Sequence, residues 1–525
     1  MTSLLFLTLV VLKIGEVSSM IEVEIACPGF IPPASIAALS YIAPAFQAAV
    51  EDSNRIYEGI FNFTLTVIPG PATIRDTFSS RDVSAYEVSN WYYTKRAHPD
   101  SGLTAVISPG GVDESSVHQL TAAWNILLFV TVGYSASTYS ISGPPVLATT
   151  YVSVHFTGMA CLDLLSIYNW TTVFMVVDET PPIHTLLAKE IMDNSNITSK
   201  MIIRRRNVML RNTTSFRPLL DEMQPVARVV LFLARPDYLR RFLVEASTRN
   251  MTNGDYVYIC AETYQLQKDF GNMSWAYGDT SDEIAREAFK SLLVVHPYDP
   301  QQLSGSQRGD QLADRCRKGA KDMFNLTYSS YDQPMRDVLA GYSTVALFAK
   351  VLNETLSSDG INFIRDGRAL SGRFLGRMFQ DGLSDIYIDN SGIRHTQLVV
   401  SHFTGNMSER EVFLIQSQGR SFQLEKIGNI CMAWPGREWP PPNEPLCGYN
   451  NDKMICLMNH AGSVFGDKEY VVTFIVLGLV GLAVALIYFI RRELCTKRLK
   501  DKWWDIGLDA GFCFAARTWS VKSAN

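Results

Sequence analysis

Residues 471–490 read VVTFIVLGLVGLAVALIYFI, a run without a charge or a proline and dominated by Val, Leu and Ile. A helix rising about 1.5 Å per residue covers roughly 30 Å in such a stretch, the thickness of a hydrocarbon core. The run is therefore read as a membrane-spanning helix, and it divides the chain. Behind it come Arg491, Arg492, Lys497, Arg498, Lys500 and Lys502, while Asp467, Lys468 and Glu469 in front of it are mixed in sign. The positive excess places residues 491–525 in the cytoplasm as a short tail and everything before Val471 outside, a single-pass type I arrangement at the plasma membrane.

The rest of the composition fits that division. A formal net charge of −5 and a pI near 6.0 leave no basic footprint for nucleic acid, and 47% hydrophobic residues suit a globular domain carrying one span. Nine N-x-S/T sequons, at Asn62, Asn169, Asn196, Asn212, Asn250, Asn272, Asn325, Asn353 and Asn406, all precede the span. One match means little; the one-sided set points to a glycosylated ectodomain made in the secretory pathway. At the N-terminus the apolar run Leu4 to Leu12, followed by Val17-Ser18-Ser19, reads as a signal peptide over residues 1–19.

Between these ends strands and helices alternate. Ile21, Val23 and Ile25 alternate with Glu22 and Glu24 as a half-exposed strand; Ile42, Phe46, Ala49, Val50 and Tyr57 share one helical face; Phe63, Leu65 and Val67 alternate again; and Ala105-Val106-Ile107 stops at Ser108-Pro109-Gly110-Gly111. A helix ending near Trp124, a strand Leu127 to Val130 and a Ser/Gly/Pro-rich loop from Gly133 to Pro145 follow. The scheme then repeats: helix Thr157 to Tyr168, strand Thr172 to Val177, helix His184 to Asp193, strand Val229 to Leu233, helix Pro236 to Thr248, strand Tyr256 to Ile259. Such βαβ units predict parallel sheets covered by helices, and about 400 residues exceed one core, so two α/β lobes are expected over residues 20–430. Later come a long helix around Met335 to Leu356, a second predicted over Ala369 to Gln380, and a hairpin from Ile386 and Ile388 through Asn390-Ser391-Gly392 to Leu398-Val399-Val400. Residues 431–469, with Trp434-Pro435-Gly436, Trp439-Pro440-Pro441-Pro442-Asn443, Cys447 and Cys456, read as a stiff Pro-rich stalk closed by a small disulfide loop.

Several segments, taken in order ahead of one span, resemble the receptor guanylyl cyclases and natriuretic-peptide receptors. They are AVISPGG with the later LTAAWNILLF, NWTTVFMVVDE, GYSTVALFAKVLNETL, DGRALSGRF with IYIDNSGIR, WPG, WPPPNEPLCGY and the Cys447/Cys456 spacing. The resemblance covers most of residues 21–490, and LKDKWWDI looks like the family's juxtamembrane start. It implies a two-lobed ectodomain of the type I periplasmic-binding-protein fold that binds an extracellular ligand, a peptide or a small molecule. It also implies a dimer, either of this chain or with a related receptor guanylyl cyclase, and pairing of Cys447 with Cys456. Two departures stand out. Gly111 occupies the place of the family's loop cysteine, and the family's kinase-like and cyclase domains do not follow Trp504 in this sequence. The resemblance then leaves three readings: a receptor without its own catalytic domain, a truncated or spliced receptor guanylyl cyclase, and a clearance or dominant-negative receptor.

Outside the cytoplasm stand seven cysteines, Cys27, Cys161, Cys260, Cys316, Cys431, Cys447 and Cys456, an odd number that predicts a free or intermolecular thiol. Cys260 with Cys316 is one possible bridge, and Cys161 sits on an apolar helical face as a buried thiol would. No H-E-x-x-H, G-x-x-x-x-G-K-[ST] or G-x-S-x-G motif occurs, so no catalytic residue, metal or cofactor is expected. Candidate ligand contacts lie where strands end. Asp178 and Glu179 close a strand, as ligand-contacting side chains do in open α/β sheets, or are solvated loop acids. Ser108, Gly110 and Gly111 form a tight turn or, as the resemblance implies, part of an anion site. Tyr134, with Tyr139 and Tyr151, contacts ligand or packs the lobes. In the span Gly481 and Ala485 are a small-residue pair, and beyond it Cys495 is a palmitoylation candidate, while Trp503-Trp504 either anchors at the bilayer surface or opens the family's next domain.

Overall fold

The computed structural model describes residues 20–33, 37–71, 81–96, 102–110, 115–131, 147–148, 153–180, 182–198, 201–262, 271–298, 307–328, 334, 336–380, 385–395, 397–403, 408–418, 421–427, 432, 434–436, 439–445, 447–449 and 468–500. Strands β1 (Ile21–Gly29), β2 (Phe61–Pro69), β3 (Leu103–Ser108), β4 (Leu127–Val130) and β5 (Leu147–Ala148) make one sheet in the order β2-β1-β3-β4-β5, parallel throughout. Parallel neighbours require crossovers, supplied here by helices α1 (Leu39–Ile56), α2 (Arg81–Arg96) and α3 (Ser115–Ala123). The alternation read in β1 holds only to Val23; from Ile25 it is buried on both faces, because it is an inner strand.

Helix α4 (Val154–Ile167), capped by the Ser153 hydroxyl accepting from Phe156 N at 3.3 Å, opens the second lobe. Strands β6 (Thr172–Asp178), β7 (Ile202–Val208), β8 (Val229–Leu233), β9 (Val257–Ala261) and β10 (Leu292–Pro297) are parallel in the order β10-β9-β8-β6-β7. Their crossovers carry α5 (Pro182–Thr198), α6 (Arg217–Met223), α7 (Pro236–Thr248) and α8 (Asp282–Ala288). Both faces of this sheet are covered, so successive residues feed opposite cores. Val173, Met175 and Val177 join the cluster that continues into the first lobe, and Phe174 and Val176 join a second cluster with Phe216, Phe232 and Phe242.

The chain then returns to the first lobe. Helices α9 (Gln307–Phe324) and α10 (Arg336–Asp359) pack on α1. At Gly341 a Cβ would stand 2.9 Å from the Phe46 ring and 3.2 Å from Ile42, so this close approach requires glycine. Across the same contact Arg315 reaches Asp52 at 2.7 Å and Glu51 at 3.0 Å, and the Tyr342 hydroxyl donates to Asp52 at 2.9 Å. Short helices α11 (Ile361–Ile364) and α12 (Gly367–Ser371) lead to a three-stranded sheet of β11 (Arg377–Gln380), β12 (Asp385–Ile388) and β13 (Arg394–His395). Strands β14 (Leu398–Phe403), β15 (Glu409–Gln418) and β16 (Ser421–Lys426) finally extend the second sheet antiparallel from β10. The chain thus passes between lobes three times, after Ala148, after Pro297 and after His395.

Four expectations are corrected. The helix read over Ala369 to Gln380 ends at Ser371, because the chain turns at Gly376 (φ +65°) and Arg377–Gln380 pairs with β12. The Asn390-Ser391-Gly392 turn does join two strands, but its second arm is β13; Leu398-Val399-Val400 belongs to β14 beside β10. Cys260 and Cys316 are both free and buried, one inside β9 and the other on α9 packed under the first lobe, so they do not bridge; Cys27 and Cys161 are free and buried too. The Pro-rich stretch does not stand off as a stalk over its first part. Trp434 Nε1 donates to Gly254 O at 3.0 Å, Trp170 Nε1 to Pro441 O at 2.9 Å, and Thr172 N to Asn443 Oδ1 at 2.9 Å. Trp439 packs edge-on against Tyr168, Trp170 and Trp434, because tryptophans left on a free stalk would keep large apolar areas in water.

A compact unit ends at Pro445. In the following unit Cys447 is disulfide-bonded; Cys456 lies outside the described residues. Helix α13 (Lys468–Lys500) contains the expected span, and its apolar window of mean hydropathy 2.0 runs Ile475–Leu494, its side chains exposed.

Candidate functional site

Parallel α/β sheets place their ligand-facing loops beyond the carboxyl ends of the strands, where helix N-termini converge and backbone amides lack partners. In the first lobe that edge carries Ser108. Its hydroxyl, buried, accepts from Gly110 N at 3.2 Å, and its carbonyl accepts from Thr131 N at 3.1 Å on the neighbouring strand. Gly110 has φ +95°, which a side chain would resist. The Ser108–Gly110 loop is thus a turn satisfied from within. Gly111, Tyr134, Tyr139 and Tyr151 lie outside the described residues.

In the second lobe Asp178 and Glu179 separate. Glu179 is exposed and accepts from Asn207 Nδ2 at 3.3 Å. Asp178 is buried. Its Oδ1 accepts from Leu210 N at 3.3 Å and Thr180 N at 3.4 Å, while its Oδ2 meets no partner among the described residues. Burial raises its carboxyl above the ordinary range, against the pull of those two amides and of Arg235.

Register puts Val177 beside Leu233, so the next residues of β6 and β8 emerge together. Arg235 follows as the N-cap of α7, Pro236 opens the helix, and Asp237 lies in its first turn, where a carboxylate suits the helix dipole. Arg235 Nε reaches Asp237 Oδ1 at 3.0 Å and its Nη2 reaches Oδ2 at 3.4 Å. His184, buried in the first turn of α5, is pushed down to about 3 by burial and then by the Arg235 charge, so it stays neutral.

Arg235 and Asp237 form one side of a shallow cavity, wide open to solvent, of about 450 Å³, and Gly271, Asn272, Ala276 and Tyr277 form the other. The second wall is braced. Arg240, buried on α7, donates to Trp275 O at 2.7 Å, to both oxygens of Asp279 at 2.7 and 2.9 Å, and to Asp282 at 2.7 Å. Asp282 accepts from Tyr277 N and Gly278 N, each at 2.9 Å, and the Tyr277 hydroxyl donates to Asn272 O at 2.7 Å. Burial, then Asp237, pushes that phenol up to about 12, so it remains a donor. At Gly271 (φ +85°) a Cβ would stand 2.6 Å from Asp237 Oδ1, and the loop can sit against α7 only with glycine. The cavity therefore offers the Arg235–Asp237 ion pair and an aromatic ring on a braced frame, a set suited to a small polar ligand or one polar peptide side chain.

Of the predicted contacts among the described residues, only Asp178 adjoins this cluster. Arg235, Asp237, His184 and Tyr277 are not among the ligand contacts expected from the sequence, and Asn272 is expected there only as a glycosylation sequon. Arg235-Pro236-Asp237 directly after the strand Val229–Leu233 was a usable signal, since it marks a helix start at the end of a parallel strand. Nothing local pointed to Tyr277. Among the described residues no group of three or more His, Cys, Asp or Glu could hold a metal.

Residues 41–406 match the model of the receptor family ligand binding region. Among curated proteins, human atrial natriuretic peptide receptor 2 is 23% identical over 427 residues, 76% of this chain and 38% of that receptor. Receptor-type guanylate cyclase gcy-13 of Caenorhabditis elegans is 23% identical over 402 residues, 71% of this chain and 37% of that protein. Human atrial natriuretic peptide receptor 3 is 22% identical over 281 residues, 52% of this chain and 48% of that receptor. The chain spans less than half the length of these relatives.

Proposed function

Because the chain belongs to the receptor family defined by that ligand-binding region, we propose that it is a single-pass cell-surface receptor whose lobed ectodomain binds an extracellular ligand at the carboxyl edge of its second sheet. Residues 1–19 serve as signal peptide, residues 20–445 as the ligand-binding part, and the apolar part of α13 as the membrane anchor, with the basic residues after Ile490 cytoplasmic. One observation carries the choice of site: the preformed cavity in which Arg235, Asp237 and Tyr277 converge. Its wall is fixed by the Arg240 network before any ligand arrives, which lowers the ordering cost of binding.

Signalling is proposed to run through a dimer of this chain or with a related receptor guanylyl cyclase. Tyr86 and Tyr93, 68% and 66% exposed on α2 beside the stacked Tyr92–Trp124 pair, give an aromatic surface that supports such pairing. The names of relatives that are guanylate cyclases favour a second reading, in which this sequence is the ligand-binding part of such an enzyme.

The site is tested by thermal-shift screening of the purified ectodomain against secreted peptide fractions and charged small molecules. A stabilising ligand is expected, with its shift lost in Arg235→Ala and kept in Glu179→Gln. A ligand that binds equally well to Arg235→Ala places the site elsewhere.

A further inference from the structure

The sequon Asn272-Met273-Ser274 lies in the wall of the second-lobe cavity, and we propose that a glycan on Asn272 roofs this cavity and restricts it to small ligands. The Asn272 side chain is exposed and lines the cavity with Arg235, Asp237 and Tyr277; among the described residues no hydrogen bond occupies its amide. Asn62, by contrast, already donates to Glu22 at 2.8 Å, and among the described residues no other sequon asparagine lines this cavity.

The attachment point is held still. Asn272 O accepts from the Tyr277 hydroxyl at 2.7 Å and from Ser274 N at 2.9 Å, and Ser274 Oγ accepts from Ala276 N at 3.1 Å while donating to Ala276 O at 3.2 Å. Close packing at Gly271 pins the preceding residue to Asp237. A glycan leaves Nδ2 as a bulky, solvated branch, and on a fixed stem beside a cavity of about 450 Å³ it stands over the opening. A polypeptide partner needs a broad continuous surface, roughly 800 Å² on each side, which such a branch interrupts. A small charged molecule needs only the opening and the groups beneath it. If the receptor's ligand is a peptide, its main contact surface then lies away from this cavity.

That the cavity takes a ligand rests on the function proposed above; the roofing does not, and the test separates them. The full chain is produced in glycosylating cells and Asn272 occupancy is read by glycopeptide mass spectrometry. Ala276→Cys, in the cavity wall, is then labelled on intact cells with a small membrane-impermeant methanethiosulfonate or a polymer-bearing maleimide, and each rate is taken above that of the parent, in which Cys27, Cys161, Cys260 and Cys316 are buried, Cys447 is disulfide-bonded and Cys431 and Cys456 set the remaining background. The small reagent should react alike with and without glycan, and the polymer about tenfold more slowly with it, relieved by Asn272→Gln or enzymatic deglycosylation. Hydroxyl-radical footprinting of Tyr277, which needs no introduced cysteine, should show the same protection if Ala276→Cys fails to reach the surface. An unoccupied Asn272, or equal polymer labelling and equal Tyr277 footprints in both forms, overturns the roof even in a receptor that binds its ligand through Arg235. Shielding without Arg235-dependent binding leaves the roof standing and removes the ligand reading alone.

Discussion

Asp178, the last residue of β6, and His184, in the first turn of α5, flank one connection and respond to acid in opposite directions. His184 titrates near 6.5 when unfolded and near 3 in the fold, so its contribution is complete above the unfolded value and is lost as the pH falls below it. Each unit costs about 1.4 kcal/mol, hence about 2 kcal/mol at pH 5. Asp178 has a raised folded value, so the fold gains stability as the pH falls through it. We expect the melting temperature of the ectodomain to drop between pH 7 and pH 5, His184→Leu to flatten that drop, and Asp178→Asn to steepen it. Parallel pH profiles for parent and His184→Leu, measured by calorimetry, would assign the acid sensitivity to other groups.

Among the elements, the segment from Trp434 to Pro445 is the one whose behaviour differs most from its composition. Proline forbids regular helix, and local reading stops at a stiff extended strap. The strap is instead built onto the second lobe: Trp434 lies across the turn at Gly254, and Asn443 caps the start of β6 through Thr172 N, with its amide 3.2 Å from Thr171 Oγ1. Asn443→Ala leaves the Thr172 amide unpaired and should cost about 1–3 kcal/mol. Trp170→Ala empties a fully buried site and should cost about 3–5 kcal/mol. Limited proteolysis is expected to cut the Asn443→Ala protein between residues 434 and 445 well before the lobes; cleavage no faster than in the parent would mean that the tryptophans alone hold the strap.

At the scale of the whole molecule the consequence is topological. The sequons precede the apolar run 471–490, and the basic cluster follows that run from Arg491. Glycosidase treatment of the protein made in cells should lower its mass by several sugar chains, and a tag after Asn525 should bind antibody only in permeabilised cells. A tag accessible on intact cells would reverse the orientation and remove the extracellular ligand with it. Three chain crossings join the two lobes, which permits rigid-body closure on a ligand at small internal cost.

The sequence by itself determined the features that depend on near neighbours. Hydropathy over residues 471–490 marked the span, continuous apolar runs marked β3, β4, β6 and β8, a period of two marked the start of β1 and β2, and a period of three to four marked α1, because side-chain direction repeats within a turn or a pleat. The resemblance supplied the family, which residues 41–406 bear out. Only the tertiary structure decided that Asp178 is buried while Glu179 next to it is exposed, that Cys260 and Cys316 are too differently placed to bridge, and that β7, with three consecutive arginines, is a strand. It alone brought Arg235 to Asn272 and Tyr277, and Trp170 to Pro441, 271 positions away. The physical reason is common to all of these: burial and pairing are set by what the chain packs against, and those partners lie far outside the window that local periodicity can read.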